Sequence, residues 1–177
     1  IHLEAGTLLR LSGDLDLGGS AGQLFNESGA VIGLQDVGLG AGAAGITRAI
    51  HGSVQNSGVI DLRNTLQTFN TLTIAGDYLG QDGQLWVNSQ LESDGAPSDR
   101  LVIDGGRASG RTEVVVANRQ GLGAATIAHG ILVVQAANGA TTDAAAFALQ
   151  GGQVSAGAYN YSLARNANES WYLLSQY

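Results

Sequence analysis

The sequence predicts an all-β chain, a β-solenoid whose coils stack on one another and end in a C-terminal cap. Three observations carry that prediction. Apolar runs are short, rich in β-branched residues and bounded by Gly, Asn or Asp, as in Leu101-Val102-Ile103, Val114-Val115-Val116 and Ile131-Leu132-Val133-Val134. That is how strands read when both faces are largely covered. Similar segments recur at spacings of a few tens of residues, the mark of stacked repeats. From about Thr71 the strands lengthen and aromatics gather toward the end, with Phe147, Tyr159, Tyr161, Trp171, Tyr172 and Tyr177.

Composition narrows the class. Of 177 residues 27 are Gly and one is Pro, and 44% are hydrophobic, which argues short strands joined by tight turns rather than disorder. No run approaches the ~20 apolar residues of a membrane helix. Net charge is −7 and all eight basic residues are Arg, scattered without a stripe, so nucleic acid is not expected as a partner. The acidic balance serves solubility. The absence of Cys excludes disulfides and thiolate metal sites, and it suits a chain that stays unfolded while it crosses a membrane. The opening at Ile1 lacks a charged and apolar leader, so an excised or mature piece is expected.

Residues 1–18 alternate Leu9, Leu11, Leu15 and Leu17 with Arg10, Ser12, Asp14 and Asp16, a strand period with one polar face. The segment from Gly22 to Ile32 resembles that from Gly52 to Ile60, with Ser28-Gly29 and Ser57-Gly58 a step of 29 apart; a second echo sets Gly13-Asp14 against Gly76-Asp77, a step of 63. The Asn-Ser-Gly corners have two readings. Stacked Asn or Ser side chains could share hydrogen bonds between coils, or the residues are simply good turn formers. Asp104-Gly105-Gly106 and Gly121-Leu122-Gly123 supply turns, and Asp143 to Phe147 could form one helical turn. A stack of coils leaves an open apolar end with unpaired backbone groups, and the aromatic final third has the content to cover it.

Motifs that could carry chemistry are weak. Gly40-Ala-Gly42-Ala-Ala-Gly45 fits the dinucleotide fingerprint, but the following Ile46 to Gly52 is too short for its helix, so a loop is expected. Asp77, Asp82, Asp94, Asp99 and Asp104 are spaced to meet on stacked coils, yet most adjoin Gly or Ser as turn residues do. His2, His51 and His129 stand alone, and no Gly-x-Ser-x-Gly elbow occurs. Three glycosylation sequons begin at Asn26, Asn160 and Asn168. Trp171 and the Tyr159/Tyr161 pair fit a cap better than an exposed sugar-binding row.

Other stretches, in unbroken order, resemble a known family. They are Leu72 to Tyr78, Gly83 to Val87, Ser98 to Gly105, Gly110 to Asn118, Gly121 to Ala124, Gly130 to Val134, Phe147 to Leu149, Gly157 to Leu163 and Trp171 to Leu173. Together they resemble the pertactin-like autochaperone region of autotransporter (type V secretion) passengers over roughly residues 71–174; residues 1–70 share only the texture of a passenger β-helix. The resemblance implies a right-handed parallel β-helix over 1–70, continuous with a sandwich-like capping autochaperone module over 71–177. It implies a non-catalytic segment without cofactor that nucleates and caps folding of the passenger during outer-membrane secretion. Its partners would be the upstream β-helix and the downstream translocator barrel of the same chain, with barrel-assembly machinery or a host surface as further candidates. The place is the bacterial cell surface or outer membrane, or the medium, after transit through the periplasm. The family's linker helix and translocator barrel are missing from this stretch, so it is not expected to secrete itself. The residues expected to form the folding and capping core are Leu101, Ile103, Val114, Val116, Ile131, Val133, Phe147, Tyr159, Tyr161, Trp171 and Tyr172. Trp171→Ala and Val115→Asp are expected to lower passenger display. An adhesin-type binding surface is the alternative function, and a β-helix polysaccharide-degrading enzyme the weaker one.

Overall fold

The structure is a computed structural model and describes residues 1–35, 45–63 and 69–177. Every regular element among them is a strand. The first coil lays down β1 (His2–Leu3), β2 (Leu8–Leu11) and β3 (Leu15–Asp16). The second holds β4 (Gln23–Asn26), β5 (Val31–Leu34) and β6 (Thr47–His51), and the third β7 (Ser53–Asn56), β8 (Val59–Asp61) and β9 (Thr71–Ala75). In the next two coils the first pair of strands fuses. There β10 (Tyr78–Ser89) leads to β11 (Arg100–Asp104), and β12 (Arg107–Asn118) to β13 (Ile131–Ala137). The chain closes with β14 (Thr141–Thr142), β15 (Phe147–Leu149), β16 (Val154–Ala156), β17 (Tyr159–Arg165) and β18 (Trp171–Gln176).

Each coil stacks on the one before it in parallel register. Leu24 sits over Val54, Val54 over Tyr78, and Tyr78 over Ala108. Ile32 sits over Ile60 and Ile60 over Leu85; on the second sheet Ile50, Ile74 and Ile103 form a like column. Because side chains alternate along a strand, one face of every coil fills a single core that runs from Leu3 to Leu173. After β13 the pattern changes. β18 pairs antiparallel with β13, β17 with β18 and β16 with β17, while β14 and β15 continue the first sheet on β12. This is the predicted parallel β-helix with a sandwich-like end.

Several local expectations change. The true register puts Asn26 on Asn56 and Val31 on Val59, so the corner between them is two residues shorter in the later coil and Ser-Gly spacing alone misaligns it. The second echo is not a stacking register: Leu11 pairs with Leu34 in the first sheet, whereas Ile74 stacks on Ile50 in the second. Asp143 to Phe147 forms no helical turn; one Ala146 N–H to Asp143 carbonyl bond of 3.0 Å closes a tight turn, and Phe147 opens β15. The dinucleotide-like glycines from 40 to 44 lie outside the described residues, and the segment after them is the strand β6.

A glycine column marks the corner where the second sheet hands over to the first. A Cβ on Gly52 would come within 2.8 Å of the Gly22 carbonyl oxygen, one on Gly76 within 2.5 Å of that of Gly52, and one on Gly106 within 2.0 Å of that of Gly76. Backbone cannot retreat as a flexible side chain can, so these positions exclude larger residues. Gly106→Ala is expected to cost about 1–3 kcal/mol in urea denaturation through overpacking. Gly13→Ala is the control and should leave the midpoint in place, because its Cβ would meet nothing within 4 Å.

Candidate functional site

For a chain whose core is continuous, the candidate site is the end of that core that the last strands close. Leu101 and Ile103 on β11, Val114 on β12, Ile131 and Val133 on β13 and Tyr161 on β17 are fully buried there, and Phe147 and Trp171 nearly so. Val116 and Tyr159 are half-buried against them. Tyr172 is placed differently. It alternates with the buried Trp171 and Leu173, lies opposite Leu132 on the outer face, and its hydroxyl accepts a 2.9 Å bond from Asn168 Nδ2. Closing the core therefore falls to Phe147, Tyr161, Trp171 and Leu173. Val115 also faces outward, beside Trp86, so Val115→Asp places its charge toward solvent. That change is expected to shift stability by only about 1 kcal/mol in denaturant melts.

The rings interlock across the end of the stack. Phe147 lies parallel to Tyr78 at 5.9 Å and meets Trp171 edge-on at 5.5 Å. Opposite Tyr78 on the next coil is Ala108, whose small side chain leaves room for the phenol to lean toward the cap. The polar ends of the rings are satisfied inside the core, as buried polar groups require. Trp171 Nε1 donates to Thr142 Oγ1 at 3.1 Å, Arg165 Nε donates to the same oxygen at 3.0 Å, and Thr142 Oγ1 donates to the Glu169 carbonyl at 2.6 Å. The Thr142 N–H bonds to Glu169 Oε2, and with paired Arg165 it holds that carboxyl below its usual range. Tyr161 Oη ties the cap to the loops before β13 and before β11, lying 2.9 Å from the Ala124 carbonyl and 3.0 Å from that of Glu92.

Below the rings a polar column runs through the core. Asn26 Nδ2 donates to Asn56 Oδ1 at 2.7 Å, Asn56 Nδ2 to Tyr78 Oη at 3.2 Å, and Tyr78 Oη lies 2.7 Å from Thr112 Oγ1. Of the two readings of the Asn-Ser-Gly corners, the structure realises the ladder. The ladder also buries the sequon residue Asn26 at 1% exposure. Burial pushes the Tyr78 phenol above its ordinary pKa, and the bonds from Thr112 and Asn56 pull back only in part.

The acids serve the backbone. Asp77 accepts the Arg107 N–H, Asp104 accepts from Asn138 Nδ2, and Asp82 takes a left-handed φ of 58° at the bulge of β10. Asp94 accepts the N–H groups of Ile127, Ala128 and Gly130 at 2.7, 3.1 and 2.6 Å, and these amides lower its pKa to about 2. Asp99 was legible only as a turn residue, yet it is fully buried. Its carboxylate accepts the N–H of Asn70 and of Asn88, each at 2.7 Å, and so joins the start of β9, the end of β10 and the start of β11. Desolvation raises its pKa to about 7 against those amides and the charge of Arg119. Of the histidines, His2 stacks on Phe25 at 4.2 Å, and His51 and His129 are exposed. Among the described residues no group of three His, Asp or Glu stands close enough to hold a metal ion.

Residues 50–163, more than half of the chain, match the family described as Autochaperone Domain Type 1. The chain is 40% identical over 206 residues to the adhesin BmaC autotransporter of Brucella suis biovar 1, with 99% of this chain and 6% of that protein covered. It is 36% identical over 191 residues to the probable autotransporter YfaL of Escherichia coli K12, covering 99% of this chain and 15% of that one. The crystal structure of the Haemophilus influenzae Hap adhesin shares the fold, with a TM-score of 0.51 at 19% identity over 99% of this chain and 18% of the adhesin. The chain thus spans a small part of each of these proteins. It belongs to the type 1 autochaperone domains of autotransporters.

Proposed function

We propose that residues 71–177 form a capping module that nucleates folding of the coils before it as an autotransporter passenger emerges at the bacterial cell surface, and that it works without catalysis. One observation carries the reading: the coils stack in parallel register on a core whose C-terminal side is covered by antiparallel strands and interlocked rings. Stacking in parallel register can therefore extend upstream from an end that is already ordered, which spares each new coil the cost of nucleation. The partners are accordingly the upstream β-helix and the translocator barrel of the same chain, with the barrel-assembly machinery or a host surface beyond them. Hydrogen exchange measured residue by residue tests the order. Amides of β11, β12, β13 and β18 are expected to exchange last and those of β1 to β6 first; slower exchange in β1 to β6 than in the cap would defeat the proposal.

A further inference from the structure

We propose that Asn138 is a site of spontaneous deamidation, and that the aspartate it becomes repels Asp104 and loosens the corner after β13. Asn138 and Gly139 form the centre of a tight turn, closed by the Ala140 N–H on the Ala137 carbonyl at 3.0 Å. Both have positive φ, 51° and 80°, as in a type I′ turn, which is why Asn followed by Gly suits this corner. The turn stacks on the corner of the previous coil. There the Gly105 N–H donates to the Ala137 carbonyl at 3.0 Å, and Asp104 Oδ1 accepts from Asn138 Nδ2 at 2.6 Å.

The chemistry needs a backbone N–H that can turn on the side-chain amide before it, and room for the ring that forms. Gly139 meets both conditions. It is exposed, a Cβ placed on it would have nothing within 4 Å, and none of the described residues engages its N–H. Its nitrogen gives up a proton to solvent base and attacks Asn138 Cγ. That N–C bond forms, the Cγ–Nδ2 bond breaks, and Nδ2 takes a proton from water and leaves as ammonia. Water then opens the cyclic imide at either carbonyl, giving aspartate or its isomer linked through the side-chain carboxyl, with no oxidation or reduction. Asn56 and Asn88, each followed by Ser, are the competing positions, and the fold locks both. Asn56 is fully buried, its Nδ2 donates to Tyr78, and the Ser57 N–H bonds to the Asn26 carbonyl at 2.8 Å. Ser89 is fully buried at the end of β10. In the product at position 138 the donor to Asp104 is gone, and two carboxylates face each other beside the ends of β11 and β13.

The test ages the 177-residue chain in mildly alkaline buffer and reads its tryptic peptides by mass spectrometry; the one from Gln120 to Arg165 carries Asn138. Position 138 is expected to gain the mass of NH2 replaced by OH before any other Asn does, and Asn138→Gln to stay unchanged there. An amide intact at 138 while Asn56, Asn88 or Asn160 converts would overturn the site. Encoded Asn138→Asp then isolates the consequence. It is expected to lower the folded-to-unfolded ratio about threefold to fivefold in urea titrations, the scale of an exposed charge contact, and less in concentrated salt. In an Asp104→Asn background the same change should leave the urea midpoint in place, because the amide at 104 can donate to the carboxylate at 138. A parent-like midpoint for Asn138→Asp, or an equal loss in the two backgrounds, would overturn the repulsion.

Discussion

Replacing Trp171 by alanine is expected to lower stability by about 3–5 kcal/mol, the usual cost of removing a buried large aromatic. Its more telling effect is on the order of melting. Trp171 is 4% exposed, packs edge-on against Phe147, and donates its indole N–H to Thr142. The truncation therefore leaves a cavity beside Phe147 and removes one of the donors to a threonine hydroxyl that also holds Arg165 and Glu169. In the parent the cap is expected to melt last; in Trp171→Ala it should melt with, or before, the first three coils. Denaturation followed by tryptophan-independent probes, such as exchange at β11 and at β4, reads this directly. Trp171→Phe is the companion change. It keeps most of the ring and drops the indole N–H, so it should lose about 1–2 kcal/mol and retain the parent order. A cap that still melts last in Trp171→Ala would show that the aromatic end is not what stabilises it.

How far this architecture was legible depends on the kind of signal each part leaves. The strand β11 announces itself because burial on both faces demands consecutive apolar residues, and Leu101, Val102 and Ile103 are all buried. The coil register was harder to see, since successive coils differ in length at the corners. Its clearest marker is the glycine column Gly22, Gly52, Gly76 and Gly106, whose spacings of 30, 24 and 30 only become a repeat once the corner is known to require them. Tyr172 and Val115 were misassigned for one reason: in a run such as Trp171-Tyr172-Leu173 or Val114-Val115-Val116, composition does not say which residue of the alternation faces in. Thr142 carried no signal at all, because a hydroxyl that joins Trp171, Arg165 and Glu169 is defined by partners 23 to 29 residues away. Asp99 was hidden by its neighbours. Next to Ser98 and after Pro97 it has the look of a turn acid, and only the stack reveals that the turn is roofed over.

That burial makes Asp99 the source of the second large effect, a stability that falls as pH rises. Its pKa is about 7 in the folded chain against an ordinary value of 3.8, so the folded state holds the proton over a range in which the unfolded chain has released it. The sign follows. The contribution is fully present below the unfolded pKa, declines as pH increases, and is gone above about pH 7. Between about pH 5 and about pH 8 the expected loss is about 2–3 kcal/mol, readable as a falling urea midpoint. The groups that face it work in opposite senses: Arg119 and the amides of Asn88 and Asn70 favour the anion, while the charge of Asp61 and the lack of water oppose it. Asp99→Asn isolates the contribution of this site. The amide cannot titrate, so the slope due to residue 99 vanishes. It also turns an NH2 group toward one of the two backbone donors at Asn70 and Asn88, which costs about 1–3 kcal/mol at low pH. The two chains should therefore differ most near pH 5 and converge toward pH 8, where the parent has lost what its proton supplied. A constant gap between them across that range would mean that another group sets the slope, and that the carboxylate joining β9, β10 and β11 stays ionised in the core.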